Sequence, residues 1–245
     1  MQGITGARSG LGRDPQGAGT VGAMKPGINR DAVLWSESEH RRSERPVLVM
    51  LHGWSYDETH LYRRLASRLP DELVVASVRA RIPEAGGYAW FPSAGNPIGD
   101  PAPHVANAAT DDVLDWVRTL DAPSIGLLGF SQGGAMVHQL MRHAPERFAY
   151  GVNLAGFVVR DHQPGDTTLA TLRPPVYWGR GGHDRVIPDD AIERTERWLE
   201  EHATADTHVY PGLGHDVAGR EIDDVAAFVA DQIYSASRSG DSHAS

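Results

Sequence analysis

Leu127-Leu-Gly-Phe-Ser-Gln-Gly-Gly-Ala-Met136 sets a polar serine between glycines, where one hydrophobic pattern ends and another begins. Upstream, Ile125 to Phe130 is a continuous apolar run, the mark of a strand buried on both faces. Downstream, Met136, Val137, Leu140 and Met141 recur at helical spacing. A strand that turns straight into a helix brings the two backbones close together. Side chains two residues to either side of the turn would collide, and Gly129 and Gly133 stand at those places. Gly129-Phe-Ser-Gln-Gly133 therefore reads as a nucleophile elbow that projects the Ser131 hydroxyl from the top of a sheet. The competing reading makes Ser131 an ordinary helix cap. The rest of the chain decides between them.

Outward from this turn, apolar runs alternate with helical stripes. Strands are expected at 47–51, 73–78, 125–130, 151–155, 176–178 and 207–210, with a short one at 32–35 pairing at an edge. Helical stripes run through Leu61, Leu65 and Leu69, and through Val105, Ala109, Val113, Trp116 and Leu120. Further stripes run through Ile192, Thr195 and Leu199, with Asp189 or Asp190 as N-cap, and through Ile222, Val225, Ala226, Val229 and Ile233. Such stripes are core packing. The βαβα order predicts a doubly wound α/β fold with a mostly parallel central sheet and helices on both faces. No internal repeat or second domain is evident. The long connection 81–103 is rich in Pro and Gly and carries Tyr88, Trp90 and Phe91. Loops of that length are uncommon and often functional, so this one is expected to lie over a pocket.

A serine hydroxyl is a weak nucleophile. It needs a base, and the base needs a carboxylate to orient it. On this kind of sheet the partners follow in the order Ser, Asp or Glu, His. Asp184 lies in a loop after the expected strand 176–178, and His215 in a loop after 207–210. Ligands gather at such carboxyl ends of strands. The expected triad is therefore Ser131, His215 and Asp184. His183 comes too early in the order, His208 falls inside a strand, and Asp216 directly follows the histidine and should point elsewhere. His138 and His143 are five residues apart, a poor spacing for a shared metal.

The oxyanion formed by attack needs N–H donors. One is the backbone N–H of Gln132, next to the nucleophile. The other is expected from the loop that follows 47–51, at Trp54. His52 in that loop is tempting as a base, but the stronger reading is that it fixes the loop by a hydrogen bond. Trp54, Trp90 and Phe91 are candidates for lining an apolar substrate pocket, with core packing the equal alternative for Trp90 and Phe91.

The segments His52-Gly-Trp-Ser-Tyr-Asp-Glu58, Gly129-Phe-Ser-Gln-Gly-Gly134, His183-Asp184-Arg-Val-Ile-Pro188 and Tyr210-Pro-Gly-Leu-Gly-His215 resemble the carboxylesterase/phospholipase/acyl-protein thioesterase group of the α/β-hydrolase superfamily. The resemblance covers about residues 47–233. It implies an α/β-hydrolase fold without a large cap domain, no cofactor and no metal. It also implies cleavage of a small-molecule ester or thioester, some relatives acting on lysophospholipids. One departure is visible: the family loop after His-Gly is usually glycine-rich, whereas Trp54, Ser55 and Tyr56 follow here. An acyltransferase or peptidase using the same triad, and a non-enzymatic binding protein on this fold, are the alternatives.

The bulk properties agree. The chain has 245 residues, 40% hydrophobic and 22% charged, with a formal net charge of −9. That acidity argues against nucleic acid as a partner. The chain has no cysteine, so disulfides, thiolate metal sites and a cysteine nucleophile are excluded. No apolar run suggests a membrane span or a signal peptide, and the expected location is the cytoplasm. Residues 1–29 are expected to be disordered, with Met24 a candidate start, and residues 235–245 to fray. One domain is expected over 30–234. The oligomeric state is open, a homodimer being one allowed state.

Overall fold

The computed structural model describes residues 27–241, with side chains through residue 235. The expected disorder of the first 26 residues, the Met24 start and the last four residues fall outside the described part.

Seven strands form one sheet in the order β1-β3-β2-β6-β7-β8-β9. They are β1 (Leu34–Trp35), β2 (Val47–Leu51), β3 (Val74–Val78), β6 (Ile125–Phe130), β7 (Tyr150–Leu154), β8 (Pro175–Gly181) and β9 (Thr204–Tyr210). All neighbours pair in parallel except β1, which runs antiparallel to β3 at one edge. Two further strands, β4 (Ile82–Glu84) and β5 (Gly87–Ala89), make a separate antiparallel hairpin.

The side-chain period of two divides each central strand between two cores. Val47, Val49 and Leu51 join Ile125 and Leu127 on one face, against α2 (Pro103–Val117), α3 (Gln132–His143) and α5 (Asp189–His202). Leu48 and Met50 join Leu128 and Phe130 on the other, against α1 (Thr59–Leu65) and α6 (Arg220–Asp241). Strands covered on both faces become continuously apolar, which is why they were legible as unbroken runs.

Three elements differ from expectation. The connection 81–103 carries the β4–β5 hairpin. A short helix, α4 (Asp166–Leu172), follows β7; its Asp166 forms a buried ion pair with Arg142 of α3 at 2.8 Å. Pro188, rather than Asp189 or Asp190, is the N-cap of α5. The two aspartates occupy the first turn, where they favour the helix dipole. The backbone of α6 continues to Asp241, past residue 234.

Candidate active site

β6 ends at Phe130 and α3 begins at Gln132, so Ser131 alone makes the turn. Its φ of 53° and ψ of −115° lie where non-glycine residues rarely go. The turn is held by its surroundings: the Ser131 N–H donates to Leu154 O at 2.8 Å, and its carbonyl accepts from Ala135 N–H at 3.0 Å. A β-carbon at Gly129 would strike the carbonyl of Gly133, and one at Gly133 would strike the carbonyl of Leu51. The glycine spacing is thus a steric requirement of strand and helix in contact.

His215 lies beyond β9 and Asp184 beyond β8, and both reach the serine. His215 Nε2 is 2.8 Å from Ser131 Oγ, and His215 Nδ1 is 2.7 Å from Asp184 Oδ2. A carboxylate at Nδ1 sets the tautomer: Nδ1 carries the proton, and Nε2 is free to accept one from the serine hydroxyl. The other carboxylate oxygen, Oδ1, accepts from Val186 N–H at 2.8 Å and Ile187 N–H at 3.3 Å. Burial alone would raise the Asp184 pKa, but the His215 bond and these N–H groups outweigh it and hold the carboxyl below the usual range. The supporting loops are tied together, His183 N–H donating to Leu213 O at 2.9 Å and Gly182 N–H to Tyr210 O at 2.8 Å. Asp216 turns away to pair with Arg64. His208 stays on β9 and bonds Asp206 at 2.8 Å.

The loop after β2 borders the same turn. The His52 ring is buried, and its Nδ1–H donates to Gly53 O at 2.7 Å while Nε2 accepts the Ala80 N–H at 3.0 Å. Burial lowers its pKa to about 4, so the ring is neutral at pH 7 and spans the loop as a hydrogen-bonding strut. No acceptor among the described residues takes the backbone N–H of Trp54 or Gln132, and both residues line the cleft that holds Ser131. The loop tolerates bulk where glycine would be usual because Trp54 and Tyr56 turn outward, each 41% exposed, onto the rim of the cleft. Ser55 takes the left-handed backbone, with φ of 65°.

The cleft has a volume of about 410 Å³. Trp54, Tyr56, Phe91, Ile98, Phe157 and Val186 give it apolar walls around Ser131 and His215. No Asp, Glu, Lys or Arg is among its lining residues. Phe91 stands in the wall. Trp90 does not: it is 4% exposed, with its indole N–H donating to His52 O at 2.8 Å. For Trp90 the core alternative describes what is found. Phe157 and Val186 were not anticipated; their signal was position, one shortly after β7 and the other two residues past Asp184. Among the described residues no cluster of three or more His, Asp or Glu is arranged to hold a metal ion. No described helix is long and apolar enough to cross a membrane.

Comparison with known proteins adds an independent line. The family described as Phospholipase/Carboxylesterase matches residues 107–233. A carboxymethylenebutenolidase homolog of Mus musculus is 31% identical over 121 residues, 48% of this chain and 47% of the mouse protein. The chain thus spans about half the length of that relative. Acyl-protein thioesterase 1 of Saccharomyces cerevisiae is 22% identical over 217 residues, covering 76% of this chain and 92% of the yeast protein. Among solved structures, the Bacillus cereus carboxylesterase superposes with a TM-score of 0.67 at 19% identity, covering 82% of this chain and 93% of that one. At that identity the likeness speaks for the fold.

Proposed function

The chain belongs to the phospholipase/carboxylesterase family, and from that premise we propose that it is a serine hydrolase cleaving esters or thioesters of uncharged, apolar acyl groups. The observation that carries the reading is the continuous hydrogen-bonded line from Ser131 Oγ through His215 to Asp184, at 2.8 and 2.7 Å, opening into an apolar cleft.

In this mechanism Ser131 Oγ attacks the substrate carbonyl carbon as His215 Nε2 takes the hydroxyl proton. Asp184 stays ionised, keeps the imidazole in the productive tautomer and stabilises the imidazolium. The tetrahedral oxyanion receives the N–H groups of Trp54 and Gln132. Collapse breaks the bond to the leaving oxygen or sulfur, which takes the proton back from His215. Water, deprotonated by the same histidine, then releases the acid from the acyl-serine. A cleft without charged walls favours acyl groups without charge, since a buried anion would lie there unpaired. At about 410 Å³ the cleft is within the ordinary range for small-molecule sites.

The test is hydrolysis of p-nitrophenyl esters of increasing acyl length by wild type and Ser131→Ala, with a fluorophosphonate probe to report the nucleophile. The wild type should turn over and label at Ser131, and the variant should lose ~10³-fold or more in kcat and all labelling. Equal activity in the two proteins would sink the proposal.

A further inference from the structure

The chemistry above uses only the backbone N–H of Gln132. Its side chain is 7% exposed and fully engaged elsewhere. Oε1 accepts the N–H of Trp90 at 2.8 Å, and Nε2 donates to the carbonyl of Phe91 at 2.8 Å. An N–H can only donate and a carbonyl only accept, so these two bonds fix which end of the amide is oxygen. Trp90 and Phe91 open the segment that supplies one wall of the cleft through Phe91, Pro92, Ser93, Asn96, Pro97 and Ile98. Gln132 therefore ties that wall directly to the residue beside the nucleophile. Other anchors of the same strand-and-loop run go to the loop after β2: Trp90 Nε1–H to His52 O at 2.8 Å, Ser55 N–H to Tyr88 O at 3.0 Å, and Tyr88 N–H to Tyr56 O at 2.9 Å. They lie at or before residue 90, so Gln132 alone of this set grips the chain at the point where it becomes the wall.

We propose that the Gln132 side chain is a positioning residue that sets acyl selectivity, by holding the 91–98 wall at a fixed distance from Ser131. The proposal rests on the serine-hydrolase reading. A neutral amide suits the task because one short head offers both a donor and an acceptor. Ionised Glu offers acceptors alone, and Met offers neither. With the tie cut, the wall drifts from the acyl chain, and long chains lose contacts that acetate never made.

The experiment compares kcat/KM for p-nitrophenyl esters of increasing chain length in wild type, Gln132→Met and Gln132→Glu. Fluorophosphonate labelling of Ser131 is measured beside it. In Gln132→Met the preference for the best chain over acetate should fall about tenfold, chiefly through KM, the scale expected for two lost buried hydrogen bonds. In Gln132→Glu the preference should fall at pH 8 and return below about pH 5, where a carboxylic acid can again donate to Phe91 O. The preference is a ratio, so titration of the triad cancels from it. A merely structural role would give no such return, and Gln132→Glu carries the test if the methionine variant fails to fold. Chain-length profiles parallel to wild type, with labelling intact, would overturn this proposal alone. A wild type that neither labels nor hydrolyses would overturn the proposed function and this inference with it.

Discussion

His52 and His215 both border the nucleophile turn, one beyond β2 and the other beyond β9, and their settings are opposite. His52 is 1% exposed and has backbone groups on both ring nitrogens, a carbonyl on one and an N–H on the other. Burial lowers its pKa to about 4, and any added proton would have to displace the Ala80 N–H. The side chain of His215 is 16% exposed, has a carboxylate on one nitrogen and a hydroxyl on the other, and faces the cleft. The lesson is that residue type and nearness to the serine do not make a base. A base needs an anion behind it and an exchangeable proton in front, and only His215 has both.

The comparison breaks most directly by substitution of the two rings. His215→Ala should lose on the order of 10⁵-fold in kcat, because proton removal and leaving-group protonation go together. His52→Phe should keep a ring of similar size but strand the Ala80 N–H and the Gly53 carbonyl, lowering stability by about 2 kcal/mol, with Ser131 still labelled by a fluorophosphonate. Denaturant midpoints and labelling rates on both variants check this. If His52→Phe abolished labelling and His215→Ala did not, the assignment of the base would be reversed.

Asp184→Asn sharpens the same contrast from behind, at an expected cost of roughly 10⁴-fold in kcat. With its N–H₂ toward Nδ1, the amide favours the tautomer that carries its proton on Nε2, facing Ser131, where the ring cannot accept. Single-turnover acylation measured against stability separates this from unfolding. A loss below about tenfold would mean that His215 works without its carboxylate.

How far all this could be read beforehand depended on whether a residue's surroundings were local. The Ser131 turn was legible because Gly129 and Gly133 answer a collision between adjacent elements, and the parallel sheet because its strands are apolar throughout. The positions of Asp184 and His215 followed from chain order and strand ends. Trp90 was not legible in this way: its indole seeks the carbonyl of His52, 38 residues earlier, and nothing in its neighbours announces that. Phe91, the next residue, faces the cleft instead. The β4–β5 hairpin is only three residues a side, too short for alternation to show against Pro and Gly. For Ile98, Phe157 and Val186, lining depends on where loops fold back, which periodicity does not reach.

The smallest expected effect concerns a second buried acid that contrasts with Asp184. Glu221, in the first turn of α6, has its side chain fully buried, and neither carboxyl oxygen has a hydrogen-bond partner among the described residues. Asp184, equally out of water, has three donors and stays ionised. Burial, then the nearby Asp216 and Asp224, push Glu221 up to about 8. The folded protein therefore holds a proton there that the unfolded chain releases near the ordinary glutamate value of about 4.3. Between those two values the native state binds more protons, so this group's contribution to stability falls as pH rises through the window, and it is flat below it. Glu221→Gln removes the titration and keeps the shape. The variant should match wild type at pH 4 and gain on it steadily, reaching about 1–2 kcal/mol at pH 8 once relaxation around the ionised group is allowed for. Thermal unfolding across that range measures the difference directly. A gap that does not widen with pH would mean that Glu221 is ionised and partnered in the folded protein, and that its setting resembles that of Asp184 after all.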